Sequence, residues 1–112
     1  MSEAMLNGRR RVVVTGVGMV SPLGNDPEST WQSLVAGESG AGPITQFDTS
    51  GYSVQFACEL KDFDPTVWIE RKQARRMDKF SQIALSAARM AEADSKIAIA
   101  DEPSRVGAAV GT

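Results

Sequence analysis

Three groups of residues in this 112-residue chain are of types that do chemistry. Gly16-Val17-Gly18-Met19-Val20-Ser21 follows a β-branched run, and such glycines can let a pyrophosphate approach the N-terminus of the next helix. Arg71, Lys72, Arg75, Arg76 and Lys79 put five of the twelve bases into nine residues, a pattern suited to meeting an acidic partner. Cys58 is the single thiol, and a nucleophilic thiol needs a histidine, another cation or a helix N-terminus to lower its pKa. Histidine is absent, so neither a Ser-His-Asp nor a Cys-His machine can be built from these residues. One cysteine and no histidine also leave no intrachain disulfide, no all-cysteine metal site and little to hold zinc, and no cofactor is expected.

Each group has a plainer reading. The third glycine of a dinucleotide fingerprint is replaced by Ser21, and Pro22 and the Gly24-Asn25 turn delay the next helix to about Pro27, too far for its free N–H groups to hold a phosphate over Gly16. The alternative is that the glycines let a strand pass close to a packed helix or strand. The basic cluster falls where a long helix is expected to begin, at the positive end of its dipole, with Arg75 and Lys79 as like charges four apart. A sequence that accepts both penalties suggests a use for the charge. Two readings stand: a solvated face with Glu70 and Asp78 as counter-ions, or a docking patch. Cys58 reads as a half-buried structural residue, and Trp31 and Trp68 as core or interface residues.

The elements that would position these groups follow from pattern. Arg11-Val12-Val13-Val14-Thr15 lacks polar alternation, as a strand covered on both faces does. Asp26-Pro27-Glu28 supplies an N-cap, a proline at the first helical position and an early acid, predicting a helix from about Pro27 to Ala36 with Gly37 as its stop. The glycine-rich stretch from Gly37 to Gly51 reads as a connecting loop, and Val54 to Leu60 as a second strand. Asp64-Pro65 repeats the cap device for a short turn through Trp68. From Gln73 to about Asp94, Met77, Phe80, Ala84, Ala87, Ala88 and Ala91 recur at helical spacing, with alanines that permit close approach of a neighbour. Val106 to Val110 again reads as a buried strand. Strand, helix, strand, helix, strand is an α/β order calling for a sheet with helices packed on it, and two helices are few to cover both faces. Met1 to Gly8 shows no periodicity and reads as a flexible leader, with residues 9–112 as the structured part.

Composition narrows the function classes. With 42% apolar and 23% charged residues the chain has the makings of a core, and a net charge of −2 argues against a nucleic-acid binder working through overall charge. No apolar run approaches the ~20 residues of a membrane span. Arg9-Arg10-Arg11 before Val12 to Val20 imitates a signal peptide, but Thr15, Gly16 and Gly18 interrupt it and Ser21-Pro22 stands where a cleavage motif would be. A cytoplasmic protein is the consistent expectation.

The order of motifs is itself specific. Arg10-Arg11-Val12-Val13-Val14-Thr15-Gly16-Val17-Gly18-Met19-Val20-Ser21-Pro22-Leu23-Gly24 resembles the opening of the β-ketoacyl-acyl carrier protein synthase II family, the elongating condensing enzymes of type II fatty acid synthesis. So do Ser29-Thr30-Trp31, Ala36-Gly37-Glu38-Ser39-Gly40, Phe47-Asp48-Thr49-Ser50, Lys61-Asp62-Phe63, Arg76-Met77-Asp78 and Arg105-Val106-Gly107-Ala108-Ala109-Val110-Gly111. The resemblance runs from about residue 9 to 112.

The resemblance implies the N-terminal part of a thiolase-like α-β-α-β-α sandwich, in a protein that is usually a homodimer. It implies a transferase reaction: decarboxylative condensation of malonyl-acyl carrier protein with an acyl-enzyme thioester, on a cysteine and two histidines that the family carries further along. Cys58 does not match the nucleophile's context, so no catalytic residue transfers and this chain alone is expected to be inactive. Lys72, Arg75 and Arg76 match positions of the surface that docks acyl carrier protein, a strongly acidic partner, with Arg71 and Lys79 peripheral. Two other classes remain open on sequence: a stand-alone basic-helix interaction module, which requires the chain to fold cooperatively by itself, and a small nucleotide-binding α/β domain, which requires stabilisation by nucleotide.

Overall fold

A helix needs no partner segment, and the helices are where the sequence expectations hold best. The computed structural model describes residues 5–111. Helix α1 spans Pro27–Val35. The Asp26 carboxylate accepts from the Ser29 amide at 2.7 Å, and Pro27 occupies the first helical position. Its end is a Schellman motif: Gly37, at φ +73°, donates to the Leu34 carbonyl and Glu38 to that of Ser33. The Asp64-Pro65 device likewise yields a 3-10 turn, Pro65–Val67, with Asp64 accepting from the Thr66 amide at 2.9 Å.

The Ser29 amide holds the Asp26 carboxyl below its usual value of 3.8. A depressed folded-state pKa contributes stability that is present above the unfolded value and lost as pH falls through the folded one. Asp26→Ala is therefore expected to cost about 1 kcal/mol at neutral pH, as the loss of a helix cap does. Thermal melts of parent and variant should converge as the pH drops below 3.8, and a gap that persists in acid would show that the carboxylate is not the capping group.

The single long helix expected from Gln73 to Asp94 is instead two. Helix α2 is one turn, Arg71–Ala74, and α3 runs Lys79–Ser95. The break has a local cause. The Gln82 side chain reaches back to donate to the Ala74 carbonyl at 2.8 Å, and the Met77 amide donates to it at 3.1 Å. That acceptor would have served the Asp78 amide in a continuous helix. Asp78 turns to an extended conformation, ψ 156°, and α3 starts after it.

The expected strands need correction. Arg11–Thr15 and Val106–Val110 form no ladder among the described residues, and the second strand shrinks to Phe56–Ala57. That segment is β4, pairing antiparallel with β3, Gly42–Pro43, inside the stretch read as a loop. Val12, Val13 and Val14 are 89%, 66% and 85% exposed. A strand is a property of a pair, and a run apolar on both faces is stable only between neighbours that residues 5–111 do not supply. Order also begins earlier than composition suggests. Positions 1–4 of the expected leader lie outside the described residues, but Met5–Leu6 (β1) pairs with Arg9–Arg10 (β2) through Asn7-Gly8, both at positive φ, the Asn-Gly hairpin turn.

What core there is lies around α3, α2 and the 3-10 turn: Ile69, Ala74, Met90 and Ser86 are buried. Residues 16–18 cross α3 at close range. The Val17 amide donates to Asp94 at 2.9 Å, and a Cβ added to Gly16 would lie 2.5 Å from the Ala91 carbonyl oxygen. The alanine face foreseen on this helix is thus the seat of the glycine segment. A radius of gyration of 18.3 Å exceeds the ~13 Å of a compact domain this long. No helix among the described residues is long and apolar enough to cross a membrane.

Candidate functional site

The basic residues stand on a pedestal. Ile69 and Ala74, 2% and 3% exposed, anchor α2 to the body of the chain. The Glu70 carboxylate caps the helix, accepting from the Lys72 amide at 2.9 Å and the Gln73 amide at 3.0 Å. Glu70 is thus an N-cap, where the sequence suggested a counter-ion. Arg89, from α3, donates to the Trp68 carbonyl and ties the preceding turn to the long helix.

Arg71, Lys72, Arg75, Arg76 and Lys79 are all exposed. Among the described residues none of the five forms an ion pair, which is found instead between Arg105 and Glu102 at 2.9 Å. Two carboxylates flank the patch at longer range. Asp64 is held below the usual carboxylate range first by the Thr66 hydroxyl, with a smaller contribution from Arg71. Glu59 is held down first by the Thr45 hydroxyl, 2.8 Å away, with a small contribution from Lys79. Asp64 and Glu59 thus offset Arg71 and Lys79 only in part, and Lys72, Arg75 and Arg76 are exposed without an ion pair among the described residues.

The split helix changes why the charge sits there. Arg71 and Lys72 open a separate single turn, Arg75 ends it, Arg76 lies in the connection, and only Lys79 stands in the first turn of α3. The dipole penalty expected for the whole cluster therefore falls on Lys79, and Arg75 and Lys79 do not share a helix. Five neighbouring bases without ion pairs among the described residues still repel one another.

The glycine segment takes its plainer reading. The face that would admit a phosphate is occupied by the α3 backbone: a Cβ on Gly18 would lie 2.7 Å from the Ala91 amide nitrogen. The helix that would offer free N–H groups starts only at Pro27. Cys58 is exposed, not half-buried, and Trp31 is 60% exposed, so it is no core residue of this segment.

Sequence reasoning missed the supports of the site. Glu70 and Gln82 hold the two ends of α2. Away from the patch, Lys61 ties the loops together, its Nζ donating to the carbonyls of Pro22, Gly40 and Glu59 at 3.0, 2.9 and 3.2 Å, while Asn25 donates to the Lys61 carbonyl at 2.9 Å. An acid directly before a basic run is a legible cap signal; the reach of Gln82 and Lys61 is not, because it depends on the folded path.

Comparison with known proteins adds the context. Residues 9–112 match the family described as Beta-ketoacyl synthase, N-terminal domain. The chain is 48% identical over 105 residues to 3-oxoacyl-[acyl-carrier-protein] synthase 2 of Coxiella burnetii, covering 93% of this chain and 25% of that protein. To the protein of the same name from Staphylococcus aureus strain N315 it is 44% identical over 108 residues, covering 96% of this chain and 26% of that one. Among solved structures, the ishigamide ketosynthase/chain length factor superposes with a TM-score of 0.74 at 45% identity, over 83% of this chain and 23% of that one. The chain spans about a quarter of the length of the curated relatives it matches.

Proposed function

Because the chain belongs to the β-ketoacyl synthase family, whose N-terminal domain residues 9–112 match, we propose that it is the first portion of the N-terminal half of a 3-oxoacyl-[acyl carrier protein] synthase that elongates fatty acids, incomplete as a domain. In that reaction an acyl group held as a thioester on the enzyme is attacked by the carbanion equivalent left when malonyl-carrier protein loses carbon dioxide. A 3-oxoacyl-carrier protein forms and the enzyme thiol is released. The complete synthase is a cytoplasmic, thiolase-like homodimer, and residues 1–112 supply scaffold and a carrier-docking patch of Lys72, Arg75 and Arg76. They do not supply the reacting groups: histidine is absent and Cys58 lies beside the short β4 strand rather than at a helix N-terminus.

The observation that carries this reading is the exposed cluster of bases on a braced turn, without ion pairs among the described residues. Such a surface speeds and orients encounter with an acidic protein, and does so in proportion to how little salt screens it. The affinity of the complete synthase for its acyl-loaded carrier is expected to fall about tenfold or more between ~0.01 and ~0.15 M ionic strength, as the Debye length shrinks from about 30 to about 8 Å. Turnover of a carrier-free acyl thioester over the same range should stay flat. A carrier affinity indifferent to salt would overturn the docking role.

A further inference from the structure

We propose that Glu70, the acid that caps the short helix beneath this basic patch, strengthens binding of the acidic carrier by holding the bases in place. This rests on the docking reading above and assigns a positioning role within it. Simple charge counting gives the opposite sign, since an acid among bases weakens their hold on an acidic partner.

The argument starts from how little holds α2 together. A single turn has no stability of its own, because nucleating a helix fixes several residues for one hydrogen bond. Here the turn and its C-cap also carry three long cationic side chains, with Arg76 directly after them. At 100° per residue, Arg71, Lys72 and Arg75 lie within an arc of about 100°, away from the buried Ala74. Their mutual repulsion is relieved if the turn unwinds, and unwinding scatters the origins of these side chains.

Bonds at both ends oppose this. The Glu70 carboxylate holds the Lys72 and Gln73 amides at 2.9 and 3.0 Å, and the Glu70 carbonyl accepts from the Ala74 amide at 2.9 Å. At the other end Gln82 holds the Ala74 carbonyl at 2.8 Å. With both of its oxygens on backbone amides, the Glu70 carboxylate forms no ion pair with the neighbouring bases among the described residues. Its charge is spent on the backbone, and the cations keep theirs for the partner.

The test is a ranking in the complete synthase, by titration with acyl-loaded carrier at low salt. Glu70→Ala and Glu70→Ser remove the same charge, but only serine keeps an N-cap oxygen. Electrostatics alone makes the two variants equal and both tighter than the parent. Positioning makes alanine weaker than serine by roughly fivefold, and weaker than the parent, with a gap that persists at high salt. Gln82→Ala, which changes no charge, is expected to weaken carrier binding in the same way and keeps the inference testable if Glu70→Ala does not fold. Equal affinities for alanine and serine, or a Gln82→Ala variant that binds like the parent, would overturn it. If reversing Lys72, Arg75 and Arg76 themselves leaves carrier binding intact, the docking reading falls; if that reversal abolishes binding while alanine and serine at position 70 bind alike, only the role of Glu70 falls.

Discussion

Gly18→Val in the complete synthase is expected to leave little soluble protein, and any that folds should melt roughly 10 °C or more below the parent. A Cβ at this position would lie 2.7 Å from the Ala91 amide nitrogen and 2.8 Å from the Met90 Cβ, with the Ala87 carbonyl oxygen closer still. Ordinary contacts of this kind are 3.4–4 Å. Two of the three obstacles are backbone atoms in the middle of a 17-residue helix, which no rotamer change can move aside. The segment and the helix must therefore separate bodily, and close-packed interiors resist that. Overpacking costs about 1–3 kcal/mol, and lifting the chain off Met90, which is 6% exposed, adds a comparable loss of apolar burial. Against a total stability of about 5–15 kcal/mol the sum is a large fraction. Gly51→Ala is the control, because a Cβ there meets nothing within 4 Å. A Gly18→Val protein that melts within a few degrees of the parent would mean that the glycine segment does not sit on α3.

The same contact shows what could and could not be read from the residues. The alanines of α3 announced a close neighbour, and the glycines at 16 and 18 announced a close approach, so both partners of this packing were legible separately. Helix α1 was legible whole, because Asp26, Pro27 and Gly37 act within a few residues of themselves. The strands were not. Val12 to Val14 have the composition of a buried strand, but a ladder requires a second segment, and composition does not say where that segment comes from. The division between α2 and α3 was invisible for a related reason: it turns on Gln82 competing for the Ala74 carbonyl eight residues back, while apolar spacing runs through the break undisturbed.

That division bears on the site more than on the fold. The cluster of bases stood out in the sequence, and so did the need for something to justify it, but the penalty ascribed to the helix dipole was mostly misplaced. What the bases pay is repulsion among themselves on a one-turn support. A patch of this kind is informative in a different way: the supports at Glu70, Ala74, Ile69 and Gln82 hold the bases where they are against that repulsion. Such bracing is what the proposed docking patch would use.

Reversing the three residues Lys72, Arg75 and Arg76 to Glu is accordingly expected to weaken carrier binding by a factor of about 100 to 1,000. Placing like charges opposite one another costs several kcal/mol, and each 1.4 kcal/mol is tenfold in affinity. The loss should appear mainly in the association rate at low salt, and added salt, which weakens the parent complex, should strengthen or leave unchanged what remains of the variant's. The fold has no stake in these side chains. All three are exposed and without ion pairs among the described residues, so the thermal midpoint should move little. Reversing Arg9 and Arg10, exposed bases on the N-terminal hairpin, separates position from net charge. If the patch acts as a surface, that pair of reversals leaves carrier affinity within a fewfold of the parent; if it weakens binding as much as the triple reversal, the carrier responds to the charge of the whole molecule and no residue between 71 and 79 is special.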